Sequence, residues 1–186
     1  LGISLAFMKK AKPGMMMSAL TVSELKKIGV DQEGIDMFFL TLANKQVKKT
    51  DFLESPQQQI DMLAKLGVGT EDDFYRNMLA ELDNTETLFL SMLKHWRSGN
   101  NQQLDIIINQ EMKNNSPKMY QSLLVERNNN WMPKIESYFK TEEVEFILVG
   151  AAHLIGDDGL IHLLKEKGYQ VEQLNSDETA QIIRPL

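Results

Sequence analysis

Apolar residues recur at helical spacing through the middle of the chain. Ile35, Phe38, Phe39 and Leu42 fall three and four apart, which predicts a helix over residues 31–44. Ser55-Pro56 opens a second helix, with Ser55 as N-cap and Pro56 at the first helical position; its apolar positions are Ile60, Leu63, Ala64 and Leu66. Gly67-Val68-Gly69 ends it, and Thr70-Glu71-Asp72-Asp73 supplies a cap and an acidic first turn for the next. Helical periodicity then runs through Phe74, Met78, Leu79, Leu82, Leu88, Phe89, Met92, Leu93 and Trp96, with a small break at Asp83-Asn84-Thr85. After a loop at Ser98-Gly99-Asn100-Asn101 the pattern predicts a helix from Leu104 to Met112. Another starts at Asn114-Asn115-Ser116-Pro117, and one more runs from Trp131 to Phe139 with Pro133 near its start. On this reading Glu126-Arg127-Asn128-Asn129-Asn130 lies between two helices.

The two flanks read differently. Val47 to Leu53 alternates weakly and predicts a short strand. Phe146-Ile147-Leu148-Val149 predicts a buried strand that runs into the small-residue turn Gly150-Ala151-Ala152-His153. The amphipathic stretch Leu160 to Lys167 predicts a helix capped by Gly168, and Tyr169 to Leu174 predicts a second strand. Near the start, Lys12-Pro13-Gly14 reads as a loop after the end of an apolar helix. Met15, Met16 and Met17 then form either a soft contact surface or a loop packed on the core. The helices between residues 55 and 140 are too many for a simple crossover. The expected fold is therefore α/β, a small mixed sheet with a large helical insertion or cap over about 55–140, in a single domain fragment spanning 1–186. The chain begins without methionine, within an apolar element, and the domain is expected to be incomplete.

The 186 residues are 42% hydrophobic and 25% charged, with a formal net charge of −6, a composition typical of globular proteins. The acidic balance and the lack of a basic cluster interleaved with aromatics argue against a nucleic-acid binder. There is no cysteine, so disulfides, zinc-thiolate sites and cysteine nucleophiles are excluded. No apolar run approaches the roughly 18 residues that would span a bilayer. Lys9 and Lys10 follow the apolar start, the reverse of a signal peptide's charge order.

The turn at Gly150-x-x-His153 is the first candidate for chemistry. A strand that ends this way sets an imidazole at the carboxyl edge of a sheet, where open α/β sheets bind ligands. Gly150, Ala151 and Ala152 leave room for a metal or substrate to approach. Glu54 ends the other expected strand and is the candidate carboxylate partner, although its place before a helix also suits the helix N-terminus. Arg127 offers a fork of donors for a carboxylate or a developing oxyanion, while Asn128 would cap the following helix. His95 and His162 read as solvent-facing. Asp157 and Asp158 either bind a cation or cap the helix that begins at Gly159. There is no Gly-x-Ser-x-Gly elbow, no phosphate-binding loop and no His-Glu-x-x-His helix. Their absence favours a metal-bound water as the route to any hydrolysis.

Taken together, three blocks resemble the TraB/PrgY/GumN family, to which the TIKI metalloproteases are related. They are Gly34 to Ala43 with Val47 and Phe52-Leu53-Glu54-Ser55, then Val125-Glu126-Arg127-Asn128 with Trp131-Met132 and Ile135, then Val149 to Leu154 with Gly156, Gly159-Leu160, Leu163-Leu164, Gly168-Tyr169 and Val171. The order and spacing agree over residues 28–174. The family carries two Gly-x-x-His motifs, a glutamate and an arginine-asparagine pair. The resemblance assigns Gly150 and His153 to the second motif, Glu54 to the glutamate, and Arg127 and Asn128 to the pair; the first motif is not in this chain. It implies a divalent-metal-dependent hydrolase acting on peptides, with manganese or cobalt-like ions. Glu54 and His153 would be metal ligands, Gly150 would line the cofactor site, and Glu54, Arg127, Asn128 and His153 would form the catalytic set. A non-catalytic peptide-binding or regulatory module, as in PrgY-like pheromone control, is the alternative, and a metal-free esterase with His153 as general base is a weaker third. A homodimer and a periplasmic or secreted location are also expected.

Overall fold

The computed structural model describes residues 10–30, 34–82 and 84–174. These residues fold as a succession of helices: α1 (Pro13–Lys27), α2 (Ile35–Lys45), α3 (Pro56–Lys65), α4 (Glu71–Leu82) and α5 (Thr85–Arg97). Next, α6 (Asn101–Leu104) passes through a π-helical stretch, Asp105–Gln110, into α7 (Glu111–Asn115). In the same way α8 (Pro117–Tyr120) passes through a π-helical stretch, Gln121–Val125, into α9 (Glu126–Tyr138). A 3-10 turn, Ala151–His153, and α10 (Leu160–Glu166) complete the order. Start signals account for some of these helices. Ser55 accepts from the Gln58 backbone and Gln58 reaches back to the Ser55 backbone, a complete capping box with Pro56 behind it. Three acidic residues, Glu71, Asp72 and Asp73, occupy the first turn of α4.

The expected α/β fold is not what forms: among the described residues there is no strand and no sheet. The segment 144–150 keeps a strand's alternation, with Ile147 and Val149 packed inward and Phe146 and Leu148 exposed. No backbone hydrogen bond joins it to another described extended segment, nor does one join 48–53 or 170–174 to such a segment. A period-two pattern selects the face a side chain takes, whereas a sheet also needs a second backbone to bond with. Among the described residues the expected helical insertion therefore has no sheet to cap, and helices make up the fold.

A further expectation changes. Lys12-Pro13-Gly14 is not a loop: Pro13 starts α1, and Met16 on that helix packs with Leu20 and Met78 in one buried cluster. Helix α2 forms where its periodicity predicts, with Ile35, Phe38 and Leu42 exposed and Phe39 meeting Phe146 at a ring-centroid distance of 5.0 Å. The expected elements in residues 1–9 and 31–33 lie outside the described residues.

Helix α1 packs against α3, α4 and α5, and Gly14 makes the closest approach. A Cβ there would stand 2.1 Å from the Leu63 carbonyl oxygen and 2.8 Å from the Leu66 Cβ. Alanine normally improves a helix over glycine by roughly 0.5–1 kcal/mol. At position 14 it would force two helices apart, so Gly14→Ala is expected to destabilise by about 2 kcal/mol, read as a fall in the urea midpoint. A gain in stability would show that α1 and α3 do not touch there.

The second buried cluster positions the site. Trp131, Met132 and Ile135 on α9 pack with Leu160, and Leu53, Ile147, Val149, Leu154, Leu163 and Leu164 close around them. This core gathers the ends of all three sequence blocks onto one helix.

Candidate functional site

Arg127 and Asn128 do not lie in a loop between helices, as the proline at 133 suggested. They lie in the first turn of α9, and Pro133 sits inside that helix. Proline removes its own donor from the ladder and crowds the carbonyl four residues back, that of Asn129, and the buried face of α9 holds the helix together across it. That face is Asn128, Trp131, Met132 and Ile135, at the spacing i, i+3, i+4, i+7. Asn128 is therefore a core residue, 1% exposed, and not the cap of a following helix. Arg127 stands one position round the helix, with Trp131 four residues on and its ring 4.8 Å from the guanidinium carbon.

His153 is presented by the 3-10 turn, which closes when its backbone N–H donates to the Gly150 carbonyl at 2.9 Å. Gly150 has an ordinary φ of −59°, and a Cβ there would lie 3.9 Å from His153 Cδ2, in plain van der Waals contact. Neither backbone nor packing demands glycine at 150. Gly156 is different: its φ is +80°, and a Cβ would stand 2.3 Å from Asp105 Oδ1. From the π-helical stretch, buried Asn109 donates to the carbonyls of Ala152 at 3.1 Å and Ile155 at 3.0 Å, clamping the turn from behind.

Glu54, Arg127, Asn128 and His153 form one hydrogen-bonded chain. Arg127 donates to Glu54 through both edges of a fork, Nη2 to Oε1 at 2.5 Å and Nε to Oε2 at 3.1 Å. Its Nη1 donates to the Leu123 carbonyl at 3.0 Å and lies 3.0 Å from His153 Nε2. Four of its five N–H donors are thereby engaged. Gln59 adds a bond to Glu54 Oε1 at 2.8 Å. Behind the histidine, Asn128 Nδ2 donates to the carbonyls of His153 at 3.2 Å and Asp158 at 2.7 Å. Its Oδ1 is thus the atom that faces His153 Nδ1, at 2.7 Å.

This network sets the histidine's tautomer. Asn128 Oδ1 can only accept, so Nδ1 carries the proton, and the bare Nε2 accepts from Arg127. Burial, followed by the Arg127 charge, pushes the imidazole pKa down from 6.5 to about 4, against the opposing pull of Glu54. For Glu54, burial alone would raise the pKa. The bonds from Arg127 and Gln59 and the Arg127 charge outweigh it and leave the carboxyl below its ordinary value. At neutral pH the site therefore holds a neutral imidazole, a carboxylate and a guanidinium. The ring of Trp131 lies 4.5 Å from that of His153 and walls one side.

A pH dependence follows. Between about 4 and 6.5 the unfolded chain binds a proton at His153 that the folded chain refuses. Stability therefore rises with pH through this window and is lost as pH falls. The depressed Glu54 pKa acts in the same direction, its contribution being lost as pH falls through the folded value. The histidine part approaches about 3 kcal/mol at roughly 1.4 kcal/mol per unit. Urea midpoints between pH 7.5 and pH 4.5 should show the slope, and His153→Gln should flatten it. An unchanged slope in that variant would remove His153 as its cause.

Of the residues expected from sequence, Glu54, Arg127, Asn128 and His153 are brought together. His162 is exposed, as expected, and lies 3.3 Å from Glu166, whereas His95 is half-buried on α5 rather than solvent-facing. Asp158 does not cap α10, whose N-cap Gly159 makes no side-chain cap bond. Its carboxylate instead accepts from Tyr120 Oη at 2.9 Å. Asn109 and Trp131 are site residues that periodicity did not single out. The one signal for Asn109 is its place directly after the apolar run Ile106-Ile107-Ile108.

Among the described residues no three His, Cys, Asp or Glu side chains are grouped to hold a metal. Glu54 and His153 do suit one in kind, an ionised carboxylate and a neutral imidazole. The Nδ1–H of that imidazole is fixed by an amide oxygen, the outer-shell arrangement usual for a histidine ligand. They are two donors where a catalytic site of this type uses three from protein.

Comparison with known protein families matches residues 1–173 to the TraB/PrgY/gumN family. No curated protein and no solved structure matches the chain.

Proposed function

This chain belongs to the TraB/PrgY/gumN family, and from that premise we propose that it carries part of the active centre of a metal-dependent hydrolase acting on peptides. One observation supports the reading most. A carboxylate, a guanidinium and a neutral imidazole, from parts of the chain 73 and 26 residues apart, meet in a single hydrogen-bonded group. A structural ion pair alone needs no histidine held in one tautomer. In this reading Glu54 and His153 Nε2 hold a divalent cation, manganese or cobalt-like, with a further ligand from outside the described residues. Such a cation, when bound, supplies Lewis acidity toward water and a peptide carbonyl.

The chain's own residues have separate tasks. Asn128 keeps the Nδ1–H tautomer and so keeps Nε2 bare. Burial keeps the ring neutral at working pH. Trp131 excludes water from one face. Arg127 places positive charge beside the position where a carbonyl oxygen would become negative, with one N–H not engaged within the site. Gly150, with no side chain, leaves the approach to the ring open.

The test is peptide hydrolysis by the full gene product with manganese or cobalt, compared with His153→Ala and Glu54→Gln, alongside metal content by mass spectrometry. Loss of cleavage and of bound metal in both variants is the expected result. Unchanged cleavage in His153→Ala would end the proposal.

A second reading has its own observation. Arg127 already occupies both acceptors that a metal would use, which suits a peptide-binding or regulatory protein without catalysis. Peptide binding that persists in His153→Ala, with no cleavage and no metal in the wild type, would select it.

A further inference from the structure

We propose that Arg127 is the resident cation of this centre, and that a divalent cation binds there only in exchange for its guanidinium. The inference rests on the reading of Glu54 and His153 as ligands and adds how their site is kept in the meantime. Glu54 accepts from Arg127 through both oxygens, and His153 accepts through the one nitrogen that its tautomer leaves bare. The acceptors a metal would need are the acceptors Arg127 holds. With bonds of 2.5 to 3.1 Å on both sides of the guanidinium, a second cation between Glu54 and His153 would have to share its volume.

The arrangement explains why an isolated carboxylate and imidazole stay aligned in a half-buried place. A cation is already there, anchored on the protein side by the Leu123 carbonyl and by the face of Trp131. Those two contacts involve neither Glu54 nor His153, so they remain when the guanidinium gives up both. The exchange trades one cation for another and never leaves the Glu54 carboxylate uncompensated.

The experiment uses Zn2+ as a diamagnetic probe on the full chain. Calorimetry compares wild type with Arg127→Gln, and 15N-edited spectra follow the Arg127 Nε–H in the wild type. Exchange predicts at least tenfold tighter Zn2+ binding in Arg127→Gln, and in the wild type a Zn2+-dependent loss of the hydrogen-bonded position of the Nε–H resonance. The spectra need no variant, so they decide the matter even if Arg127→Gln folds poorly. Suppose Zn2+ binds in a manner that His153→Ala abolishes, but with equal affinity in Arg127→Gln and an unmoved Nε–H signal. Then the exchange is wrong and the ligand reading survives. If Zn2+ does not bind, or binds equally well to His153→Ala and Glu54→Gln, the ligand reading and the exchange both fall.

Discussion

Arg127→Ala is expected to lower the free energy of unfolding by about 3 kcal/mol, the low end of what breaking a buried pair costs. Surface ion pairs are worth far less, but this one is half-buried. The side chains of Arg127 and Glu54 are 21% and 10% exposed. Truncation leaves the Glu54 carboxylate with only the neutral donors Gln59 and Trp131 among its side-chain partners, and also strips the Leu123 carbonyl and His153 Nε2 of their side-chain donor. Glu54→Gln should cost less, about 1–2 kcal/mol, because it removes the charge while keeping the shape and a hydrogen-bonding oxygen. In the double variant the two losses should not add, since the second change removes the charge that the first left unpaired. Urea denaturation of the four proteins measures the coupling. A cost below 1 kcal/mol for Arg127→Ala, with additive losses, would mean that the pair is merely a surface contact.

Asn128 carries the second large effect. It is almost wholly buried and satisfies three partners at once, the carbonyls of His153 and Asp158 and the Nδ1–H of His153. Asn128→Ala leaves all three in a dry core, and a loss of about 3–4 kcal/mol is expected. Asn128→Asp has the same size and the opposite chemistry. It turns a donor that faced two carbonyl oxygens into a carboxylate that repels them, while placing a negative charge beside the imidazole. That variant should be the less stable of the two at pH 8, should close the gap as pH falls toward 5, and should raise the His153 pKa from its depressed value. Ring-proton NMR titration and denaturation at the two pH values check this together. If Asn128→Asp is as stable as wild type at pH 8, the assignment of Nδ2 to the two carbonyls is wrong.

Both predictions depend on Arg127 and Asn128 lying on a packed helix, which is where the sequence reading was weakest. With Pro133 near its start, the expected helix begins at Trp131 and residues 126–130 fall in a loop before it. The residue pattern that argues otherwise, Asn128 with Trp131, Met132 and Ile135, contains an asparagine on the buried face. Local propensity treats a buried amide as a break, and only its partners 25 and 30 residues away make it a core residue. Asn109 went unnoticed for the same reason, since its partners are the carbonyls of Ala152 and Ile155.

The sheet is the opposite kind of error. Phe146-Ile147-Leu148-Val149 is an unbroken apolar run and predicts a buried strand, yet only Ile147 and Val149 face the Trp131 core while Phe146 and Leu148 stay exposed. Pairing is a property of two segments, and one apolar run does not contain it.

What the residues determined by themselves is what acts over a few positions of chain. The capping box at Ser55, the acidic start of α4 and the turn at Gly150-x-x-His153 were all legible there, because each is fixed by neighbours in sequence; the family membership was legible from the order and spacing of three such blocks. Only the tertiary structure decided that no described segments pair as a sheet, that Asn128 sets the histidine's tautomer, and that Arg127 stands between Glu54 and His153. Those outcomes depend on groups brought together from 25 to 73 residues apart, where hydrogen-bond satisfaction in a dry core, rather than local pattern, chooses the partner.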